Sequence, residues 1–436
     1  MVLVKTKIML YNKHIDKHAE EAMDQQERKI KYRGRKAVPA QYRRKRPVKK
    51  IIIGAAIALC VVLAAVIGLL FWINRDSGDA GETTPPPPDK VIHVVAGGNV
   101  NITDESVAAG QTAGGYDYQQ IFKDVLPVLS SGDVTMLNFE GILSGNSYGT
   151  DTKAAPPELL TALKNAGVDI LQTANSYSVF DGHRGLTATI QGIQNAGMTP
   201  LGTYASKAEF EQSGGYIIWE IKGIKIAMMA FTKGMVEGGG IPAVSKGCFS
   251  LLYKDYDSTQ DTIYQKVDTE GITKIVRNAA AHDPDVMIAL VHWGSEAADQ
   301  VNKTQKKICA LLQEEGVDAI IGTHPHYVQK MELDPESGKF VAWSLGDFYG
   351  DMAGTNYSVL LDLEITQDGS TGDTKVTGFD YVPIYLEENG DGQMRILRIK
   401  EAMSGYENRY LDRVSEKTYN AMKTALERIK SRVGAK

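Results

Sequence analysis

The sequence predicts a layered α/β domain preceded by one membrane-spanning helix. Two observations carry this reading. Ile51 to Ile73, "IIIGAAIALCVVLAAVIGLLFWI", contains no charged side chain. Beyond Val91, short apolar runs alternate with segments of helical periodicity, which is the pattern of helices layered on a sheet. The chain has 436 residues, 43% of them hydrophobic and 23% charged, enough for one large globular domain with appendages.

Residues 1–50 hold 16 Lys/Arg against 5 Asp/Glu, a balance of +11, and the whole chain carries −5. The remainder is therefore at −16, and a mildly acidic main domain argues against nucleic acid as its partner. The apolar run from Ile51 is long enough, at 1.5 Å per residue, to cross a hydrocarbon core of about 30 Å. A cleaved signal peptide would begin near residue 1 with a shorter apolar region. A buried core helix is the other reading of such a run, and its unbroken length argues against it. The flank "YRRKRPVKK" (Tyr42–Lys50) is basic and the opposite flank "NRDSGDAGE" is mostly acidic. Positive-inside asymmetry then puts residues 1–50 in the cytoplasm and the main domain outside the cell, as a single-pass protein of the cell membrane. The basic segment either touches anionic headgroups or only sets topology. Residues 74–90, with four consecutive prolines, form a stiff extended linker.

From Val91 to Asp351 the elements follow in order. "VIHVVAGG" is a strand ending in glycines, "YQQIFKDVLPVLSSGD" is helical, and "VTMLNFEG" is a strand running into a loop. "PPELLTALKNAG" has proline at the start and glycine at the end of a helix. "VDILQTAN" is a strand and "GLTATIQGIQNAG" a helix. "YIIWEIKGIKIAMMAFT" reads as a hairpin turning at Lys222-Gly223. "TEGITKIVRNAAAHDP" and "KTQKKICALLQEEG" are helices. "DVMIALVHWGSE", "VDAIIGTHPH" and "KFVAWSLGDFYGD" are strands. Residues 352–400 alternate as antiparallel strands. Residues 405–433 form an amphipathic C-terminal helix, with Leu411, Val414, Met422, Leu426 and Ile429 at helical spacing. Cys60, Cys248 and Cys309 are the only cysteines; a Cys248–Cys309 disulfide is an open expectation, and no spacing suggests a zinc ribbon.

In open α/β sheets, sites form where strands end and loops begin. Asn99, Asn138, Glu140, Asn175, His292, Glu296, His324, His326 and Asp347 all fall at such ends. A lone histidine there is more often a hydrogen-bonded structural residue than a ligand. Three histidines at two ends, with a carboxylate and an amide at others, point to a borderline divalent ion such as Mn, Fe or Zn. "AGGNV" lacks the Lys-Ser/Thr of a P-loop and is not a phosphate cradle. His183 reads as a surface-loop residue, "EGGGIPA" (Glu237–Ala243) as a flexible loop near the site, and Trp293 as packing beside it.

Six segments in sequence carry a resemblance: "AGGNV", "LNFEG", "TANSYSVFDGHRGL", "HWGSE", "GTHPH" and "WSLGDF". In this order and spacing, from about Val91 to Asp351, the chain resembles the CapA family of capsule and poly-γ-glutamate synthesis proteins. That family belongs to the calcineurin-like metallophosphatases. Its pattern is Gly-Asp, Asn-Leu-Glu, Ala-Asn-Asn-His, His-Trp-Gly-x-Glu, Gly-His-His-Pro-His and Ser-Leu-Gly-Asn-Phe. The resemblance implies an α/β/β/α sandwich of the metallo-dependent phosphatase type. Carried over by residue, it makes Glu140 a bridging carboxylate. Asn175, His292 and His324 complete one metal site, and His326 belongs to the other. Glu296 and Asp347 would face substrate. Gly98 falls at the family's aspartate and Tyr177 at its proton-donating histidine, so one divalent-metal site is expected intact and the second crippled. The resemblance implies a place in capsule or poly-γ-glutamate synthesis. The partners expected are an anionic envelope polymer and membrane synthase or export subunits. The chain is then either a metal-dependent hydrolase or a non-catalytic component that binds the polymer.

Overall fold

The structure, a computed structural model, describes residues 86–235, 240–388, 392–410 and 414–434. The basic segment, the apolar run Ile51–Ile73, most of the linker and the start of "EGGGIPA" lie outside the described residues. Among the described residues no helix is long and apolar enough to cross a membrane.

The first elements are β1 (Lys90–Asn101), α1 (Asp104–Ala109), β2 (Gln111–Thr112), β3 (Gly115–Tyr116), α2 (Leu126–Leu129) and β4 (Val134–Glu140). There follow α3 (Pro157–Asn165), β5 (Ile170–Gln172), α4 (Gly182–Asn195), β6 (Thr199–Leu201) and α5 (Lys207–Ser213). The hairpin β7 (Tyr216–Ile221) and β8 (Ile224–Thr232) leads to α6 (Thr269–Ala280), β9 (Val286–His292), α7 (Lys303–Glu314) and β10 (Ala319–Thr323). Short β11 (Met331–Leu333), β12 (Phe340–Ala342) and β13 (Asp347–Tyr349) precede the long β14 (Tyr357–Gln367) and β15 (Thr374–Glu388). The chain closes with β16 (Met394–Arg398), α8 (Ile399–Glu407) and α9 (Glu416–Val433).

Among the described residues the strands form two main sheets. One has the order β16-β15-β14-β1-β4-β5-β6 with β13 paired to β1; the other runs β11-β12-β10-β9-β8-β7. Side-chain parity shows how they stack. In β4, Val134 and Met136 share one core with Ile226 and Met228 of β8, Ile288 and Leu290 of β9, and Ile321 of β10. The opposite parity of β4, Leu137 and Phe139, packs on Leu159, Leu160 and Leu163 of α3. Met287, Ala289 and Val291 of β9 pack on Ile272 of α6 and Ile308 of α7. The layers are therefore helix, sheet, sheet, helix. Strands β4, β9 and β10 are buried along their whole length, which is why they read as unbroken apolar runs.

Several sequence expectations shift. The helix expected over "YQQIFKDVLPVLSSGD" shrinks to α2, because Pro127 has no N–H to donate and is tolerated only in a first turn. The C-terminal helix expected over residues 405–433 is two helices. The Ser415 hydroxyl caps the second, accepting from the Thr418 N–H at 3.0 Å. Cys248 and Cys309 are both free, buried in separate cores, so the disulfide is not formed. His183 sits on α4 rather than a loop, its Nδ1 3.2 Å from the Ser245 hydroxyl. The hairpin turns where expected, with Lys222 and Gly223 at φ 52° and 75°, as a two-residue turn matched to strand twist requires.

Candidate metal centre

The strand ends that carry polar residues converge between the two sheets. Residues two apart on a strand share a face, so Asn138 and Glu140 continue the inter-sheet side of Val134 and Met136. His292 likewise continues Ile288 and Leu290. Both sheets thus end, on the same side, in side chains aimed at each other. Glu140, His292 and His324 are fully buried and each offers a ligand atom, all within 4.8 Å of one another. The His292 and His324 rings lie 4.6 Å apart. His324 and His326 have φ of 93° and 60°, and side chains rarely adopt the left-handed region unless the surroundings hold them there. The two histidines are therefore not simple strand caps.

Hydrogen bonds fix each group. Asn138 Nδ2 donates to Glu140 Oε1 and to Asn99 Oδ1, both at 2.9 Å. Asn175 Nδ2 donates to Asn138 Oδ1 at 3.2 Å and to the Phe139 carbonyl at 2.6 Å, while its own Oδ1 accepts from the Tyr177 N–H. His292 Nε2 accepts from the Ser176 N–H at 3.2 Å and lies 3.0 Å from the Ser176 hydroxyl. Because an amide N–H can only donate, the neutral ring carries its proton on Nδ1, which is 3.5 Å from Glu140 Oε1. His326 Nδ1 lies 2.7 Å from Asp347 Oδ1, and Asp347 also accepts from Asn99 and from the Met352 N–H.

Two cations enter this site that sequence reasoning missed. Lys233 is the first residue after β8; its N–H donates to the His292 carbonyl, and its Nζ lies 2.9 Å from His324 Nε2. Lys153 is buried, donates to the Ile102 carbonyl at 3.3 Å, and holds its Nζ 5.0 Å from the Tyr177 ring centre. Lys233 follows an apolar strand directly, the same position that singles out His292 and His324, so the signal was present.

Electrostatics follow from burial. Desolvation, opposed by the charge of His326 and aided by Asp347 and Glu296, lifts the Glu140 carboxyl to about 7. Burial, reinforced by the Lys233 charge, holds His292 and His324 well below the usual histidine range. Burial also lowers His326, but the charge and hydrogen bond of Asp347, with Glu140 and Glu296, outweigh it and push that imidazole up to about 9. The charge and hydrogen bond of Asp347 thus favour a protonated His326 at neutral pH, and a metal at this ring would have to displace that proton. Desolvation, then the charge of Glu140, raises Tyr177, so its phenol stays protonated. Burial lowers Lys233.

The donor set fits one ion. Two neutral imidazoles and a carboxylate suit Mn, Fe or Zn, and the buried His324 Nδ1 has no hydrogen-bond partner. An ion there competes with protein donors already on the rings, Lys233 on His324 and Ser176 on His292.

The other expected site residues fall as follows. Asn175 is part of the amide chain behind Glu140, its carbonyl oxygen taken by Tyr177. Glu296 is exposed and lines the pocket over the site, 3.9 Å from His326 Nε2. Asp347 is 5% exposed with both oxygens engaged, one of them on His326. Gly98 does not face the site. A bulge between Ala96 and Asn99 adds a residue to β1, so Asn99, not Gly98, faces the site. A Cβ on Gly98 would lie 1.8 Å from the Gly346 carbonyl oxygen. Trp293 is buried, stacked 5.3 Å from Trp343, and donates to its carbonyl. The pocket is about 540 Å³, walled by Tyr177, Lys233, Tyr256, Glu296, His324 and His326 among others.

The sequence family described as bacterial capsule synthesis protein PGA_cap matches residues 93–352. A capsule biosynthesis protein CapA of Bacillus anthracis is 23% identical over 283 residues, covering 63% of this chain and 62% of that protein. The PGA biosynthesis protein CapA of Bacillus subtilis is 25% identical over 291 residues, 64% of this chain and 70% of that one. A probable polyglutamine synthesis accessory protein of Mycobacterium tuberculosis is 21% identical over 246 residues, 55% and 61%. The chain thus spans less than two thirds of the Bacillus anthracis relative's length. Among solved structures, a calcineurin-like phosphoesterase from Bacillus subtilis aligns with 78% of this chain and 98% of its own at 15% identity and a TM-score of 0.42. A phosphatase from Mycoplasma pneumoniae aligns with 68% and 94% at 15% identity and a TM-score of 0.42.

Proposed function

The chain belongs to the bacterial capsule synthesis protein family PGA_cap, and from that premise we propose that it is an accessory component of capsule or poly-γ-glutamate synthesis or export. In this reading Ile51–Ile73 anchors it in the cell membrane, residues 1–50 are cytoplasmic, and the α/β/β/α domain works outside the cell. Its partners are an anionic envelope polymer and membrane synthase or export subunits. The observation that carries the reading is the family match over residues 93–352, within which the buried Glu140, His292 and His324 group lies at the shared end of the two sheets. These three residues would hold one divalent ion, which supplies Lewis acidity toward a phosphoryl or carbonyl oxygen. Around it, Asn138 orients Glu140, Ser176 orients His292, and Lys233 and Lys153 place positive charge beside the pocket.

An active hydrolase is the second reading, favoured by this intact three-residue group. Two observations weigh against it. The phenol of Tyr177 is held protonated by its surroundings, so it is a poor base at neutral pH. Lys233 already bonds His324.

The test is elemental analysis of the full chain, purified without chelator, beside His292→Ala and His324→Ala. About one equivalent of Mn, Fe or Zn, lost in both variants, is the expected result. Metal-free wild-type protein, even after loading, would overturn the one-ion site and leave the histidines structural.

A further inference from the structure

A second cleft lies on the other side of the loops that wall the metal pocket. It is about 580 Å³ and is lined by Lys306, Lys330, Arg428 and Arg432, with Asp299 as its one carboxylate. The loop after β9 serves both cavities: Glu296 lines the metal pocket, and Asp299, Gln300 and Val301 line the cleft. The loop after β10 does the same, with His324 and His326 on one side and Lys330 on the other.

Four cations facing two carboxylates, Asp299 in the lining and Glu332 beside Lys330, stand out in a chain that is at −16 beyond residue 50. Two of them are held in place. The Arg432 guanidinium lies 4.8 Å from the Tyr327 ring and 5.8 Å from the Tyr357 ring, and its Nη2 is 3.8 Å from Asp299. Lys330 pairs with Glu332 at 2.7 Å and lies 5.8 Å from the Trp343 ring. The other two, Lys306 and Arg428, are exposed and form no ion pair among the described residues. Positive charge that fold-internal carboxylates leave uncompensated concentrates counter-anions, and stacked, pre-oriented guanidinium groups suit carboxylate or phosphate oxygens.

We propose that this cleft is an anion-binding site for a linear polymer with repeated carboxylate or phosphate groups, distinct from the metal group. Lys306 and Arg428 supply the exposed contacts, and Arg432 and Lys330 the fixed ones. A chain lying in it would run along the loops that also carry His324 and His326. The cleft stands on its own residues and does not depend on a metal at Glu140.

The experiment uses the full chain and two fluorescein-labelled probes, poly-glutamate and polyphosphate, read by fluorescence anisotropy at low and moderate salt. The test variant carries Lys306→Glu and Arg428→Glu, both at exposed positions, and His324→Ala runs beside it. Binding weakened by about tenfold or more in the double variant, and unchanged in His324→Ala, is the expected result. Loss for poly-glutamate alone assigns a polycarboxylate, and loss for polyphosphate alone assigns a phosphate polymer; either upholds the site. Wild-type protein that binds neither probe, or a double variant that binds both as tightly as wild type, overturns it. Metal content measured on the same double variant separates this outcome from the one-ion reading, because that reading predicts no change there.

Discussion

The ammonium nitrogen of Lys233 lies 2.9 Å from Nε2 of His324, the histidine that completes the buried group with Glu140 and His292. A cation from the protein thus touches the same side chain a metal would use. Two positive charges close together in a buried site repel strongly, so Lys233 opposes metal entry. Replacing Lys233→Met keeps the side-chain length and removes the charge. Metal affinity, followed by isothermal titration with zinc, is expected to rise by about tenfold or more. Equal or weaker binding would show that Lys233 does not compete.

A pH dependence follows from His326 and Asp347. Asp347 and the neighbouring carboxylates push the His326 imidazole to about 9 in the folded protein, against about 6.5 in an unfolded chain. A raised folded-state value means the native state binds the extra proton. Its stabilising contribution is therefore fully present below about 6.5 and is lost as pH rises through 9. Glu140, raised to about 7, loses its contribution in the same direction but lower, between about 4.5 and 7. Above pH 7, loss of the His326 proton and the raised Cys309 thiol weaken the fold, opposed by Lys233 and Lys153, which burial lowers; the Asp347 variant isolates the His326 part. The melting temperature of the wild type should fall from pH 7 to 9.5, by an amount on the order of 2 kcal/mol in stability. In Asp347→Asn that slope should flatten, while the protein is less stable at pH 7. A wild-type melting temperature that is level across this range would sink the prediction.

The layer order and the ring of strand ends were legible because parity in a buried strand is strict. Once "VTMLNFE" and "VMIALVH" are read as strands, Glu140 and His292 must fall on the face of Met136 and Leu290. Two features were not legible for local reasons. The Gly97-Gly98 bulge shifts β1 by one residue, and nothing in "AGGNV" announces which glycine is extra. The partnership of Lys233 with His324 joins residues 91 positions apart, brought together only when β8 and β10 flank β9. Asp347 reads as a substrate residue only through the family resemblance; its burial beside His326 is a tertiary fact.

Gly98 makes the bulge possible. The Cβ of an alanine there would lie 1.8 Å from the Gly346 carbonyl oxygen, which also accepts the Asn99 N–H at 3.0 Å. Backbone on both sides cannot yield as a flexible side chain would. Gly98→Ala is expected to destabilise the fold by about 2 kcal/mol or more, measured by urea denaturation. Gly240→Ala, where a Cβ meets nothing within 4 Å, serves as the neutral comparison. Equal midpoints for the two variants would refute the close approach.

Asn99, rather than Gly98, faces the site from the end of β1. Its amide nitrogen donates to Asp347 Oδ1 at 3.0 Å and lies 3.2 Å from His326 Nδ1, and its oxygen accepts from Asn138. Asn99→Asp is nearly isosteric but turns a donor into a second carboxylate facing Asp347. The new carboxylate must share the one His326 charge with Asp347, so the two carboxylates repel, and the lost hydrogen bond from the amide to Asp347 adds to the cost. The metal-free variant should therefore melt at a lower temperature than the wild type, by several degrees. The same pair of carboxylates is a better cation site than the amide it replaces. Added Mn should raise the variant's melting temperature more than the wild type's, and bound metal should rise toward a second equivalent. If Mn stabilises both proteins equally, the amide at Asn99 is not what closes the second site, and the His326–Asp347 ion pair must close it alone.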